Sequence, residues 1–391
     1  MAKVALIVLD GVGVGASPDA EAYGDVGSDT VGNLARQLGG LQLPHLGWLG
    51  LGHLTAIEGT PPAPLPIGGY GRLQEVSAGK DSTTGHWELC GIVTETAFPT
   101  YPDGFPAAVI EPFESAVGRK VLGNRAASGT VIIQELGDAH CASGSPIVYT
   151  SADSVFQIAA HEEVVAVDEL YRWCELARSQ LAGAHNVGRV IARPFAGTSG
   201  HYFRTPRRRD YALVPPGRTL LQVLQEAGHT TVGIGKIEDL FSGIGLSHVD
   251  HTTSNDAGMD ATLRWFRDAP EESFLFTNLN DFDTLWGHRN DTDGFAEGLR
   301  DFDDWLPEIL RLLRAGDLLL LSADHGNDPT TPSTDHSREY VPILCKLGGR
   351  DAGAALGDRR GFMDVAATVL EHFRHPERLG GSSFRRQLGP I

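Results

Sequence analysis

Four consecutive leucines, Leu318–Leu321, lead through Ser322 and Ala323 into Asp324-His325-Gly326-Asn327. So apolar a run is too short to cross a membrane and too apolar for a solvated edge. It reads as a strand buried on both faces of a parallel sheet. Another imidazole, His336, follows eleven residues after His325. A carboxylate and an imidazole side by side at the end of a buried strand suit a divalent metal. Asp, Gly and Asn are also ordinary residues of a polar turn. The stretch alone does not choose between these, and the rest of the chain has to decide.

Three more apolar runs stop in a similar way. Val4–Leu9 ends at Asp10, Val232–Ile234 at Gly235-Lys236, and Phe274–Leu279 at Asn280-Asp281-Phe282-Asp283, with His288 five residues beyond Asp283. Helical stretches lie between them. Asp29 is placed to cap a helix over Thr30–Leu38, and Thr219 with Gln222 forms a capping box that opens a helix running to Ala227 and stopped by Gly228. Phe295, Leu299, Phe302, Leu306, Ile309 and Leu313 recur at helical spacing, the core-facing stripe of a long helix. A strand over Val341–Leu347 and a helix over Phe362–Phe373 complete the series. Strands alternating with helices predict an α/β fold whose mostly parallel sheet is covered by helices on both faces. Ligands of such sheets gather at the carboxyl ends of the strands. That edge would collect Asp10, Asp281 or Asp283, and Asp324, with His288, His325 and His336, donors enough for two adjacent ions. Oxygen and nitrogen ligands without a thiolate favour Mn²⁺, Zn²⁺ or Mg²⁺ in a two-metal site.

A chain of 391 residues is long enough for two domains. The texture changes near Phe98-Pro99-Thr100-Tyr101-Pro102 and again at Pro215-Pro216-Gly217, which predicts a core domain over 1–97 and 217–391 interrupted by a smaller α/β cap over 98–216. The cap should hold strands over Pro146–Thr150 and Gly188–Arg193 and a helix over Asp168–Leu181. Gly39–Gly71, rich in Gly, Pro and Leu, reads as irregular surface structure. Gly11–Ala16 matches the loose dinucleotide fingerprint. Ser17-Pro18-Asp19 breaks the helix that should follow, and no acidic strand end comes about twenty residues later, so the match does not make a nucleotide site.

With 32 Lys plus Arg against 50 Asp plus Glu, the formal net charge is −18. That field argues against nucleic acid and anionic membranes as partners, and an anionic substrate would need metal ions or a local basic pocket. The one basic cluster, Arg204 with Arg207-Arg208-Arg209, is either a solvated charge run or a phosphate contact. Cys90, Cys141, Cys174 and Cys345 form no CxxC pair, which fits a reducing compartment. No signal-peptide core and no run of eighteen apolar residues is present. The expectation is a soluble cytoplasmic protein with no obligate protein partner.

Gly79-Lys80-Asp81-Ser82-Thr83-Thr84-Gly85-His86-Trp87-Glu88 reads as the entry to a helix. Asp81 or Ser82 can be its N-cap. Alternatively a hydroxyl there is a nucleophile at the positive end of the helix dipole, where phosphate also binds. A metal beside such a hydroxyl makes its alkoxide accessible. The sequence by itself therefore supports two-metal phosphoryl transfer through a phosphorylated serine.

These motifs resemble the phosphopentomutase family. The likeness is carried by Asp10 through Gly15, Gly79-Lys80-Asp81 with Gly85 through Glu88, Tyr149 through Asp153, His161-Glu162-Glu163, Gly188 through Pro194, Asp281-Phe282-Asp283 with Gly287-His288-Arg289, and Ala323 through Asp328. It extends from Asp10 to about Phe384. The resemblance implies an alkaline-phosphatase-like core interrupted by a cap, and interconversion of ribose 1-phosphate and ribose 5-phosphate and of the deoxyribose pair. It implies two Mn²⁺ ions, one held by Asp10, Asp324 and His325 and the other by Asp283, His288 and His336. Glucose 1,6-bisphosphate or a similar sugar bisphosphate would serve as activator. The phosphorylated residue would be Ser82, where the family pattern has Thr directly after Gly-Lys-Asp; the hydroxyl is kept, and Thr83 and Thr84 are the alternatives. Ser151, Asp153, Arg189, Arg204, Arg208 and Lys236 would contact the pentose phosphate. Other readings within the superfamily are a metal-dependent phosphatase and a cofactor-independent phosphoglycerate mutase. Outside enzymology, the alternative is a catalytically silent sugar-phosphate-binding protein.

Overall fold

A computed structural model describes residues 2–151 and 154–390. By its internal contacts the chain divides into two compact units, Met1–Ala97 with Pro215–Ile391, and Phe98–Val214. Among the described residues no helix is long and apolar enough to cross a membrane.

The larger unit holds an eight-stranded sheet. Its spatial order is His248–Asp250, Thr230–Ile234, Ser273–Leu279, Val4–Leu9, Leu318–Ser322, Val341–Leu347, Gly69–Gln74, Ala354–Arg360. The first five strands are parallel, while Val341–Leu347 runs antiparallel to both neighbours. Every residue of Val4–Leu9, Ser273–Leu279 and Leu318–Ser322 is buried. A strand without in-out alternation needs cover on both faces, which is why these segments are continuous apolar runs. Register then determines what the strand ends share. Leu9 lies opposite Leu279 and Val8 opposite Ser322, so Asp10 comes level with Asp324 two residues on.

Helix Thr30–Leu38 starts where expected, with the Asp29 carboxylate accepting from Gly32 N. The capping box of Thr219 and Gln222 opens helix Leu220–Glu226. The long helix spans Thr292–Leu312 and buries Phe295, Leu299, Phe302, Leu306 and Ile309. Gly39–Gly71 departs from its expectation. Leu41, Leu43, Leu46, Leu49 and Leu51 are buried, Pro44–Leu49 is helical, and the strand Gly69–Gln74 begins inside the stretch. Asp303 of the long helix accepts from His45 N and Leu46 N, satisfying orphan donors at the start of that short helix. Frequent glycine and proline hid leucines that the long helix buries.

The smaller unit is a second sheet, ordered Leu122–Ala126, Ile147–Thr150, Val155–His161, Arg189–Thr198, His201–Arg204, with Arg209–Ala212 also pairing with Arg189–Thr198. Helices Ala107–Val117 and Val167–Gln180 close one core around Phe113, Phe156 and Trp173.

Candidate metal centre

The carboxyl ends of the parallel strands bring six expected donors together. Asp10, Asp324 and His325 form one group whose ligand atoms all lie within 4.8 Å of one another, and Asp283, His325 and His336 form another. His325 thus belongs to both, with its ring centroid 3.9 Å from that of His336. His288 stands at the rim, its Nε2 3.3 Å from Asp283 Oδ1 and its Nδ1 2.7 Å from the Thr334 carbonyl. Asp283 lies in a π-helical turn, Phe282–Trp286, continued by the 3-10 turn Gly287–Arg289 that carries His288. Such wide turns recur at functional sites because they re-aim side chains. A further acidic group, His45 with Asp303 and Asp304, is accounted for by the helix start that Asp303 caps.

Helix Ser82–Leu89 delivers the hydroxyl. Asp81 caps it, accepting from Thr84 N and Thr84 Oγ1. Ser82 Oγ lies 3.4 Å from Asp10 Oδ1 and 3.2 Å from His325 Nε2. The Thr84 hydroxyl is engaged with Asp81, and Thr83 is buried. Gly85 lets this helix press on the strand end, since a Cβ there would stand 2.0 Å from the Asp324 carbonyl oxygen. On the opposite side Gly11, at φ +82°, aims its N–H at Asp324 Oδ1.

Asp10 and Asp324 are fully buried and Asp283 nearly so, which is rare for carboxylates without compensating charge. Burial pushes the Asp10 carboxyl up to about 8, with Asp324 adding repulsion and Lys236 Nζ, 3.9 Å away, opposing it. Burial also acts upward on Asp324, but His325 and His86 outweigh it and hold that carboxyl below its usual range. Asp283 is likewise pushed up by burial and pulled well below its usual range by His336, His288 and His325. Burial lowers His325 to about 4, leaving a neutral imidazole, the form that ligates metals. Three carboxylates and neutral imidazole in so dry a place fit a divalent cation or a pair of them.

Lys236 stands just ahead of the short helix Ile237–Phe241, its ammonium beside Asp10. In the smaller unit Arg208 and Arg189 converge on Asp210, which no motif marked. Arg208 makes a two-pronged bond to it at 2.7 and 2.6 Å, and Arg189 Nη1 lies 3.7 Å away. Arg204 Nη2 donates to the Tyr149 hydroxyl at 3.3 Å, and Arg207 pairs with Glu162. Two members of the basic cluster, Arg207 and Arg208, are therefore paired with carboxylates. Ser151 follows strand Ile147–Thr150 and is partly buried, while Asp153 lies outside the described residues.

A family model described as the metalloenzyme superfamily matches residues 2–377. A protein of Caldanaerobacter subterraneus subsp. tengcongensis named phosphopentomutase is 53% identical over 386 residues, 99% of this chain and 98% of its own. Another of that name, from Acetivibrio thermocellus, is 53% identical over 391 residues and is aligned over the whole of both chains. The chain belongs to the phosphopentomutase family. As a member of that family it is an enzyme, a mutase of the isomerase class, within a superfamily of metalloenzymes. The solved phosphoglycerate mutase of Leishmania mexicana aligns over 97% of each chain with a TM-score of 0.50 at 12% identity, a likeness of fold alone.

Three further residues at the centre were not among the expected donors. Asn278 donates to Asp10 Oδ2, Asn327 to Asp283 Oδ1, and His86 Nδ1 lies 3.2 Å from Asp324 Oδ2. The signal for Asn278 was available: it is an amide inside an apolar strand.

Proposed function

We propose that this member of the family interconverts α-D-ribose 1-phosphate and D-ribose 5-phosphate, and the 2-deoxyribose pair, through phosphorylated Ser82 and a pentose 1,5-bisphosphate. The observation that carries this reading is the Ser82 hydroxyl, held at a helix N-terminus between Asp10 Oδ1 and His325 Nε2. Phosphorylated Ser82 gives its phosphoryl group to the free hydroxyl of the pentose phosphate. The bond from phosphorus to Ser82 Oγ breaks, one to the sugar oxygen forms, and the hydroxyl proton ends on Ser82 Oγ. Ser82 then takes the other phosphoryl group from the bisphosphate. The first turn of the helix favours the anion through its N–H groups and dipole.

Asp10, Asp324 and His325 would hold one Mn²⁺, and Asp283, His288 and His336 the other. When bound, these ions supply positive charge that stabilises the serine oxygen and the phosphoryl oxygens. Arg189, Arg204 and Arg208, with Ser151 and Asp153, contact the sugar phosphate, and Lys236 contributes from beside Asp10. Glucose 1,6-bisphosphate or a similar sugar bisphosphate primes Ser82. The test combines two measurements. Chelated protein should regain turnover of ribose 1-phosphate on addition of Mn²⁺, and digestion of primed protein should yield phosphoserine at position 82. Metal-independent turnover, turnover of 3-phosphoglycerate in place of ribose 1-phosphate, or phosphate only on Thr83 or Thr84 would overturn the reading.

A further inference from the structure

Asn278 is 2% exposed one residue before the end of strand Ser273–Leu279, and Asn327 is 1% exposed directly after Gly326. A buried amide costs free energy unless it is hydrogen-bonded. Each of these spends an Nδ2 hydrogen on one carboxylate of the centre. Asn278 reaches Asp10 Oδ2 at 2.9 Å, and Asn327 reaches Asp283 Oδ1 at 2.9 Å. We propose that the two asparagines are positioning residues, one for each ion: Asn278 sets Asp10 in the group with Asp324 and His325, and Asn327 sets Asp283 in the group with His325 and His336. The inference rests on the metal reading above and extends it to the layer behind the ligands.

The chemistry favours an amide for this task. The last torsion of an aspartate is broad, so a carboxylate without a fixed donor rotates through many orientations. A lysine or arginine would fix it but would also cancel the charge the cation needs. A neutral N–H fixes one oxygen and leaves the charge in place. Asn278 does more than Asn327. Since Asp10 accepts, Nδ2 is the atom facing it, and the same nitrogen lies 3.2 Å from His86 Nε2. Nε2 must therefore accept, which puts the His86 proton on Nδ1, 2.8 Å from the Ser82 carbonyl and 3.2 Å from Asp324 Oδ2. One amide thereby braces both carboxylates of the first group and the backbone of Ser82.

The experiment is calorimetric titration of metal-free protein with Mn²⁺, paired with turnover measured against Mn²⁺ concentration. Wild type should take up two ions. Asn278→Ala should weaken one binding event about 10- to 100-fold and spare the other, the range seen when groups behind metal ligands are lost. Asn327→Ala should weaken the other event alone. In both variants the Mn²⁺ concentration for half-maximal turnover should rise while KM for ribose 1-phosphate stays near wild type. Should either alanine variant fail to fold, Asn278→Ser and Asn327→Ser, which keep a small polar group, serve in its place. Equal weakening of both events by each variant, or no weakening, overturns the assignment. A shift in KM without a shift in Mn²⁺ dependence does so too. Wild-type protein that takes up no Mn²⁺ would instead remove the metal reading beneath it, so the two failures are distinguishable.

Discussion

Gly85→Ala adds one methyl group where the hydroxyl-bearing helix meets the strand that carries Asp324. The added Cβ would lie 2.0 Å from the Asp324 oxygen, 2.7 Å from its carbonyl carbon and 2.9 Å from its Cα. All three are main-chain atoms, so no side-chain rotation relieves the clash. Real Cβ contacts essentially never fall below 3.0 Å, so the two backbones must part by at least 3.0 − 2.0 Å, about 1 Å. Asp324 is the less movable partner. Its strand pairs with Val4–Leu9 along its whole length, and Gly11 N holds its carboxylate. The helix is only eight residues long and starts at Ser82, so it gives way and takes Ser82 Oγ with it.

A displacement of that size at a reacting atom costs on the order of 100-fold in rate, and overpacking of this kind costs about 1–3 kcal/mol of stability. The assay is kcat with ribose 1-phosphate at saturating Mn²⁺, alongside thermal unfolding. Gly47→Ala is the control, because its Cβ would meet nothing closer than Thr60 Cγ2 at 3.3 Å. A Gly85→Ala enzyme that loses the expected stability yet turns over within about threefold of wild type would refute the reasoning. It would mean that the contact with Asp324 does not set the position of Ser82.

Three further outcomes are expected. Ser82→Ala should abolish phosphoenzyme by mass spectrometry and lower turnover by several orders of magnitude, as loss of a nucleophile does, whereas Ser82→Thr, which keeps a hydroxyl, should retain measurable turnover. His372 is buried and lowered to about 4 by burial and by Arg385, whose Nε donates to its Nδ1. A base depressed on folding stabilises above its unfolded value and loses that contribution on acidification, so wild type should lose up to about 3 kcal/mol between pH 6.5 and 4 that His372→Gln does not, read by urea unfolding. Glu339 behaves oppositely: burial pushes it up to about 8 although Thr30 N, Gly15 N and the Thr30 and Ser337 hydroxyls face it. An acid raised on folding holds its proton while the unfolded chain has released it, so stability falls as pH rises from about 4.5 to 8, and Glu339→Gln should flatten that slope in the same measurement.

Strand ends were the most readable part of this chain, because a fully buried strand leaves an apolar run that has to stop somewhere. Val4–Leu9 and Val341–Leu347 begin and end where their apolar residues do. The edge strand Ala354–Arg360 left no such trace: it buries only Leu356 among Gly, Asp and Arg. The layer behind the ligands was illegible for another reason. Asn278 meets Asp10 across 268 residues of sequence and His86 across 192. An amide inside an apolar strand stood out, but nothing local named the groups it meets. His325 shows a third limit. The family resemblance assigned it to one ion, while the geometry places its ring within reach of both groups.

Lys80 and Arg338 carry the same lesson into energetics. A lysine two residues before the serine proposed as nucleophile invites a role with phosphate, yet its ammonium lies 3.0 Å from Asp25 Oδ2 and 3.6 Å from Asp335 Oδ2. Arg338 donates its backbone N–H to that same Asp25 oxygen, and its guanidinium reaches Gly79 O at 2.6 Å and Glu75 Oε2 at 2.7 Å. Asp25 thus joins the loop ahead of Ser82 to the segment that follows His336. The two cations contribute unequally. The Lys80 side chain is 20% exposed and its pairs are of the kind worth under about 1 kcal/mol. Arg338 and Glu75 are each 2% exposed, and breaking a buried pair leaves an uncompensated charge at a cost of about 3–5 kcal/mol. Arg338, a residue with no reacting partner, therefore ties the loop ahead of Ser82 to the segment after His336 more firmly than the lysine that stands closer in sequence.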